Sequence, residues 1–186
     1  ENALKWQNVA RRGPAAPGYE MADRMLEWCE ENGLRMRGHC IFWAAERYNA
    51  RWLKELDNGE LRKAIERRAR EVTSRYRGRI GEYDLNNEMI TNNYFRRRLG
   101  PGIVADMARW AKEGDPNATL YVNDYNILSG HRLEDYDKQI QDFLDRDIPI
   151  GGIGIQGHPN GPFDLDAVNT ALDRLARFDL PIRITE

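Results

Sequence analysis

Short runs rich in β-branched and aromatic residues alternate along this chain with longer amphipathic runs, and that alternation limits the fold more than any other feature. Met36 to Trp43 ("MRGHCIFW"), Ile80 to Leu85, Thr119 to Asn123, Gly152 to Gln156 and Pro181 to Thr185 are bounded by turn residues and read as strands. Between them, apolar residues recur at three- and four-residue spacing. Met21, Met25, Trp28 and Cys29 share one helix face, as do Leu61, Ile65, Ala69, Val72 and Tyr76. The same holds for Ile103, Met107 and Trp110, for Tyr136, Ile140, Phe143 and Leu144, and for Leu165, Val168, Leu172 and Leu175. These stripes are expected to be core. Gly33, Gly78 and Gly114 stand where left-handed helix caps are expected. Strand, helix, strand repeated in this way means parallel strands with helical crossovers, in either a doubly wound sheet or a barrel. No sequence repeat or low-complexity linker divides the 186 residues, so one unit is expected over 1–186.

The stretch "GGIGIQGHPNGP", Gly151 to Pro162, contains Gly152-x-Gly154-x-x-Gly157, the glycine spacing of a dinucleotide-binding loop. That chemistry needs a helix starting on the last glycine, and "HPNGP" follows instead, an irregular loop that offers no helix N-terminus to a pyrophosphate. The glycines must have another task. A formal net charge of −2, with no basic stripe interleaved with aromatics, argues against nucleic acid. The Arg-rich "IERRAREVTSRYRGR" reads as a solvated helix face. No apolar run approaches the ~18 residues of a membrane span. Cys29 and Cys40 lack metal-ligand spacing and read as free core thiols, a disulfide being the alternative.

Both candidate folds place chemistry beyond the carboxyl ends of the strands. Read together, those ends carry Glu1, Asn2 and Lys5 at the start of the chain, His39 and Trp43 on "RGHCIFW", and Asn86-Asn87-Glu88 after "EYDL". They continue with Asn123-Asp124-Tyr125-Asn126 after "LYV", Gln156 and His158 after "GIGI", and Thr185-Glu186 after "PIRI". Amides, carboxylates and imidazoles beside an indole describe a pocket for a sugar, whose hydroxyls need donors and acceptors and whose ring faces stack on aromatics. Two of the ends finish in a glutamate, Glu88 and Glu186. Glycosidic hydrolysis requires such a pair: one carboxyl gives its proton to the leaving oxygen and the other attacks or stabilises the anomeric carbon.

In this order and at these intervals, "ENALKW", "RGHCIFW", "YDLNNEM", "LYVNDYN", "GIGIQGH" and "LPIRITE" closely resemble glycoside hydrolase family 10, the retaining endo-β-1,4-xylanases. "HCIFWAAERYNARW" and "NEMITNNYFRRRLG" are most similar to its plant-like branch. The resemblance implies a TIM (β/α)8 barrel, with Glu88 as general acid/base and Glu186 as the nucleophile of a covalent glycosyl-enzyme. It implies that Asn87 hydrogen-bonds the sugar 2-hydroxyl at the cleavage site, that His158 hydrogen-bonds the nucleophile, and that Gln156 lies near the acid/base. By the same token Glu1, Asn2 and Lys5 match glycone-side xylose contacts, His39 and Trp43 line the cleavage subsite, and Asn123 and Tyr125 belong to the aglycone wall. Ala44 stands where many bacterial members carry a histidine, which the plant-like branch also lacks. Xylan or a xylo-oligosaccharide is the implied partner, with no metal or other cofactor required.

A full barrel of this type takes ~250 residues, so the resemblance covers the end of the second strand to the end of the seventh, with the first and last βα units missing. The expectation is a segment of a longer enzyme that, alone, needs a complementing chain or an oligomer to cover its edges. An extracellular setting is expected because polymeric xylan lies outside cells. Other readings are a metal-dependent barrel hydrolase built on His39, His158, Glu88 and Glu186, a β-1,4-glucanase on the same barrel, and a xylan-binding module without catalysis.

Overall fold

The computed structural model describes residues 2–11, 13, 17–158, 162 and 164–185. In chain order the elements are α1 (Trp6–Val9), α2 (Glu20–Glu31), β1 (Phe42–Trp43), α3 (Arg51–Glu55), α4 (Asn58–Arg75), β2 (Glu82–Asn87), α5 (Tyr94–Leu99), α6 (Ile103–Gly114), β3 (Thr119–Asp124), α7 (Leu133–Asp145), β4 (Gly152–Gln156), α8 (Leu165–Ala176) and β5 (Ile182–Thr185). All strand pairs are parallel and the sheet order is β1-β2-β3-β4-β5. A doubly wound sheet reverses its strand order at a switch point. This sheet does not, and its consecutive order is that of a barrel arc. The strand expected over residues 36–43 is reduced to the two-residue β1 and an isolated bridge from Gly38 to Tyr83, although the Ile41 N–H still donates to the Asp84 carbonyl at 2.9 Å.

Helix α4 starts on a capping box in which Asp57 and Glu60 satisfy each other's backbone N–H groups, and it buries Leu61, Ile65, Ala69 and Val72. It packs on α6, and the two approach so closely that a Cβ on Gly114 would stand 2.7 Å from the Arg70 carbonyl oxygen. Gly114 therefore serves helix packing inside α6 and is not the left-handed cap the sequence suggested, whereas Gly33 and Gly78 do take positive φ. Arg68 likewise departs from the solvated-face reading. It is buried, donating to the Tyr19 hydroxyl at 3.0 Å, the Ile41 carbonyl at 3.3 Å and the Leu4 carbonyl, and so ties the N-terminal segment to the sheet. Other arginines of that stretch do lie at the surface, in ion pairs such as Arg75 with Asp23 and Arg79 with Glu30. Both cysteines are free thiols, Cys40 buried and Cys29 half-buried.

The apolar stripe on α2 expected in the core is largely exposed at one flank, whereas on α8 Leu175 is buried and Val168 and Leu172 pack on the core, leaving Leu165 exposed. Helix α2 buries Ala22 and Leu26, while Met21 and Trp28 are 54% and 57% exposed. At the other flank Leu165 on α8 and Ile184 on β5 are 72% and 56% exposed. Periodicity put each set on one face correctly; among the described residues no further element lies beyond either flank to cover it.

The glycines of "GGIGIQ" are explained by close packing inside the arc. A Cβ on Gly152 would stand 2.2 Å from the Tyr121 ring, and one on Gly154 would meet the Val122 carbonyl and the Asn123 side chain at 2.8 Å. Tyr121 is itself buried, so its ring has no free space to swing into. Gly152→Ala is expected to destabilise the protein by about 1–3 kcal/mol, the usual cost of overpacking. Urea unfolding measures this, and a variant as stable as the parent would refute the packing argument.

Candidate active site

The carboxyl ends of β2 to β5 are joined by side-chain hydrogen bonds. The Thr185 hydroxyl donates to Asn123 Oδ1 at 2.7 Å, and Asn123 Nδ2 donates to Asn87 Oδ1 at 3.1 Å. Gln156 Nε2 reaches the same Asn87 oxygen at 3.2 Å and Glu88 Oε1 at 3.4 Å. Trp43 Nε1 donates to Glu88 Oε2 at 2.9 Å. Each link fixes the next, because an amide that donates from its nitrogen must present its oxygen elsewhere. With its oxygen held by two donors, Asn87 keeps a buried NH2 that has no partner among the described residues. The Glu88 carboxylate is thus held between Trp43 and Gln156, beside an amide with hydrogen atoms to give.

Glu88 sits immediately after β2 with φ +59°, a left-handed conformation costing a non-glycine residue of order 1 kcal/mol or more. Its own N–H donates to the Asn123 carbonyl at 2.9 Å, and Asn92 Nδ2 donates to its carbonyl at 3.1 Å. Asp124 completes the clamp, accepting the Ile90 N–H and the Tyr125 N–H at 3.0 Å each. Among the described residues no ion pair compensates that buried carboxylate. Burial pushes the Asp124 carboxyl up to about 7, with the negative charge of Glu88 adding to the effect.

A second buried carboxylate, Asp84, is compensated. It accepts from both terminal nitrogens of Arg37 and lies 2.7 Å from His39 Nδ1, which sets the orientation of the imidazole. Lys5 Nζ sits 4.3 Å from the centre of the Trp43 ring, and Tyr48 stacks on that ring at 4.0 Å. Two open hollows flank the strand ends. One, about 430 Å³, is lined by Trp43, Arg47, Tyr48, Glu88, Tyr125, Asn126, Gln156 and His158. The other, about 530 Å³, is lined by Asn2, Arg37, His39, Arg183 and Thr185, with His158 shared between the two. Asn123 is buried and supports the site by holding Asn87, while Asn126 is the asparagine that lines the cleft beside Tyr125. Glu1 and Glu186 lie outside the described residues, so the expected contact of His158 with Glu186 does too. Among the described residues no group of three or more His, Cys, Asp or Glu is placed to hold a metal ion. Asp84, Arg37, Arg47 and Tyr48 were not picked out by sequence reasoning. An acid in the middle of the strand run "YDLN" was a usable signal for Asp84; nothing marked Arg47 and Tyr48.

The family model for glycosyl hydrolase family 10 matches residues 1–186. The chain belongs to this family. Endo-1,4-beta-xylanase 1 of Arabidopsis thaliana is 38% identical over 190 residues, which cover 100% of this chain and 20% of that protein. The anti-sigma-I factor RsgI6 of Acetivibrio thermocellus is 36% identical over 187 residues, covering 24% of its length. Native xylanase 10B from Thermotoga maritima superposes with a TM-score of 0.90 at 27% identity, covering 100% of this chain and 59% of that one. The chain thus spans a fifth to a quarter of these two curated relatives and three fifths of the solved xylanase. With the consecutive parallel strands, these matches make the fold an incomplete (β/α)8 barrel.

Asp124 gives the family 10 site a stability signature of its own. The ordinary Asp value is 3.8 and burial raises it to about 7, so between those pH values the folded chain holds a proton that the unfolded chain has released. Stability attributable to this group therefore falls as pH rises through that window. Asp124→Asn is expected to flatten the decline, read as the difference in thermal midpoints between pH 4 and 7. Parallel curves for the two proteins would overturn the assignment.

Proposed function

We propose that this chain carries the acid/base half and the glycone and aglycone walls of an endo-1,4-β-xylanase cleft, cutting β-1,4 xylosidic bonds by retaining double displacement. The observation that carries the reading is Glu88: a half-buried carboxylate fixed by Trp43 and Gln156 next to an Asn87 NH2 that has no partner among the described residues, at the carboxyl rim of a family 10 arc. In the first step Glu88 gives its proton to the glycosidic oxygen while Glu186, the residue that follows β5 in sequence, attacks the anomeric carbon. In the second, Glu88 takes a proton from water as that water displaces Glu186. The Asn87 NH2 donates to the sugar 2-hydroxyl, a bond that tightens as positive charge builds on the ring.

The similarity to proteins named as endo-1,4-beta-xylanases in Arabidopsis supports xylan over a glucan as the polymer. The exposed flanks at Met21, Trp28, Leu165 and Ile184 support the chain working within a longer polypeptide or beside a complementing chain, since parallel edge strands and bare apolar stripes do not stay single in water. An extracellular setting is our inference from the polymeric nature of xylan alone. One observation favours a second reading, a xylan-binding groove without catalysis: a relative of similar identity is named an anti-sigma-I factor and not a hydrolase.

Release of reducing sugar from xylan, with carboxymethylcellulose in parallel, separates these readings when measured on the protein with its barrel complete. Xylan is expected to be cut in preference, with Glu88→Gln and Glu186→Gln each lowering kcat on the order of 10²-fold or more. The first product anomer seen by NMR should be β. Tight xylan binding without turnover would favour the non-catalytic reading, and an α anomer would refute the retaining mechanism.

A further inference from the structure

Arg47 is an unused cation in the cleft. It lies in a single 3₁₀ turn, Glu46–Tyr48, directly after β1, so the strand delivers it to the same rim as Glu88. Buried Asn49 pins that turn, donating to the Trp43 carbonyl at 2.9 Å and the Ala45 carbonyl at 3.0 Å. The turn sends its two charges to different places. Glu46 is tied to Arg97 at 2.6 Å, outside the cleft, whereas Arg47 lines the hollow that also contains Glu88. Its guanidinium rests on the Tyr48 ring at 4.6 Å, and Tyr48 in turn stacks on Trp43 at 4.0 Å. Among the described residues Arg47 forms no hydrogen bond or ion pair, although arginines elsewhere on the surface are paired with Asp23, Glu30, Glu46 and Asp137.

A guanidinium placed over an aromatic ring keeps its N–H donors for something else, and five N–H groups in a planar fork suit a carboxylate better than a sugar hydroxyl. The stack limits the rotamers to be lost on binding, so less ordering entropy opposes the contact. Xylan is a neutral chain, and the carboxylates it offers are those of uronic-acid side groups. We propose that Arg47 recognises a uronic-acid carboxylate on the xylan chain, so that the cleft prefers acidic over unsubstituted xylan. This rests on the xylanase reading above. An exposed ion pair is worth less than about 1 kcal/mol, which corresponds to roughly fivefold in selectivity, with salt dependence as its signature.

The test compares kcat/KM of the barrel-complete protein for xylo-oligosaccharides of equal length with and without one uronic-acid side group. In wild type the acidic-to-neutral ratio is expected to exceed one and to fall as salt is raised. Arg47→Gln should lower that ratio by up to about fivefold, through KM, and remove its salt dependence; Arg47→Lys should restore part of the ratio, as a point charge without the fork. A ratio unchanged by Arg47→Gln, or unaffected by salt in wild type, overturns the inference and leaves the xylanase reading standing. Hydrolysis of neither oligosaccharide by wild type overturns the xylanase reading, and the uronate site falls with it.

Discussion

The geometry of the site depends on one chain of hydrogen bonds, from Thr185 through Asn123 to Asn87, with Gln156 closing onto both Asn87 and Glu88. Backbone ladders set the spacing of the strands, but parallel ladders alone leave the side chains at their ends free to turn. Here four strands contribute one polar side chain each to a single directional relay. Truncating any interior member leaves a buried donor or acceptor without a partner, at a cost of about 1–3 kcal/mol, and also releases the amide above it. Asn87 presents its NH2 because Asn123 and Gln156 have already occupied its oxygen, so the orientation of a substrate-facing amide is decided by residues that need not touch the substrate.

Two acidic residues of the arc show how differently a buried carboxylate can be accommodated. Asp84 faces the Arg37 guanidinium and the His39 ring, so its charge is matched by donors on both oxygens. Among the described residues Asp124 accepts from two backbone N–H groups and sits near another carboxylate, and burial raises its proton affinity. One strand apart in the sheet, the two serve different needs. Asp84 braces His39 from within the arc, while Asp124 holds the turn that carries Glu88. A carboxylate suits the second task because its two oxygens meet N–H groups from separate segments, residues 90 and 125, and so tie the loop after β2 to the loop after β3.

Alternation of strand and helix, and the polar residues gathered at the strand ends, were legible from the chain alone, because the two hydrophobic periods and the turn residues are local properties. What covers a face is not local. Met21, Met25 and Trp28 share a helix face with the expected period, yet they are exposed, since the period says nothing about the neighbour. Arg68 shows the converse: one arginine in a run of surface arginines is buried by the N-terminal segment folding over it from more than sixty residues away in sequence. The task of Gly152 depends on a ring from the adjacent strand, and the alignment of Arg47 depends on a stack formed by Tyr48 and Trp43. Each of these was hidden because its cause lies in a residue brought near only by the fold.

The left-handed turn at Glu88 connects the relay to the chemistry. A strand that simply continued past Asn87 would alternate its side chains, putting consecutive residues 87 and 88 on opposite faces of the sheet. Yet Asn87 and Glu88 both meet Gln156, so both side chains serve the same face of the arc. Turning the backbone to positive φ at Glu88 reconciles the two requirements, at a local cost that its hydrogen bonds to Asn123 and Asn92 and the Asp124 clamp on Ile90 offset. An Asn-Glu pair at a strand end is therefore more than two polar residues in sequence. It functions as a unit only where the neighbouring strand supplies the carbonyl of Asn123 and the carboxylate of Asp124 to hold the turn.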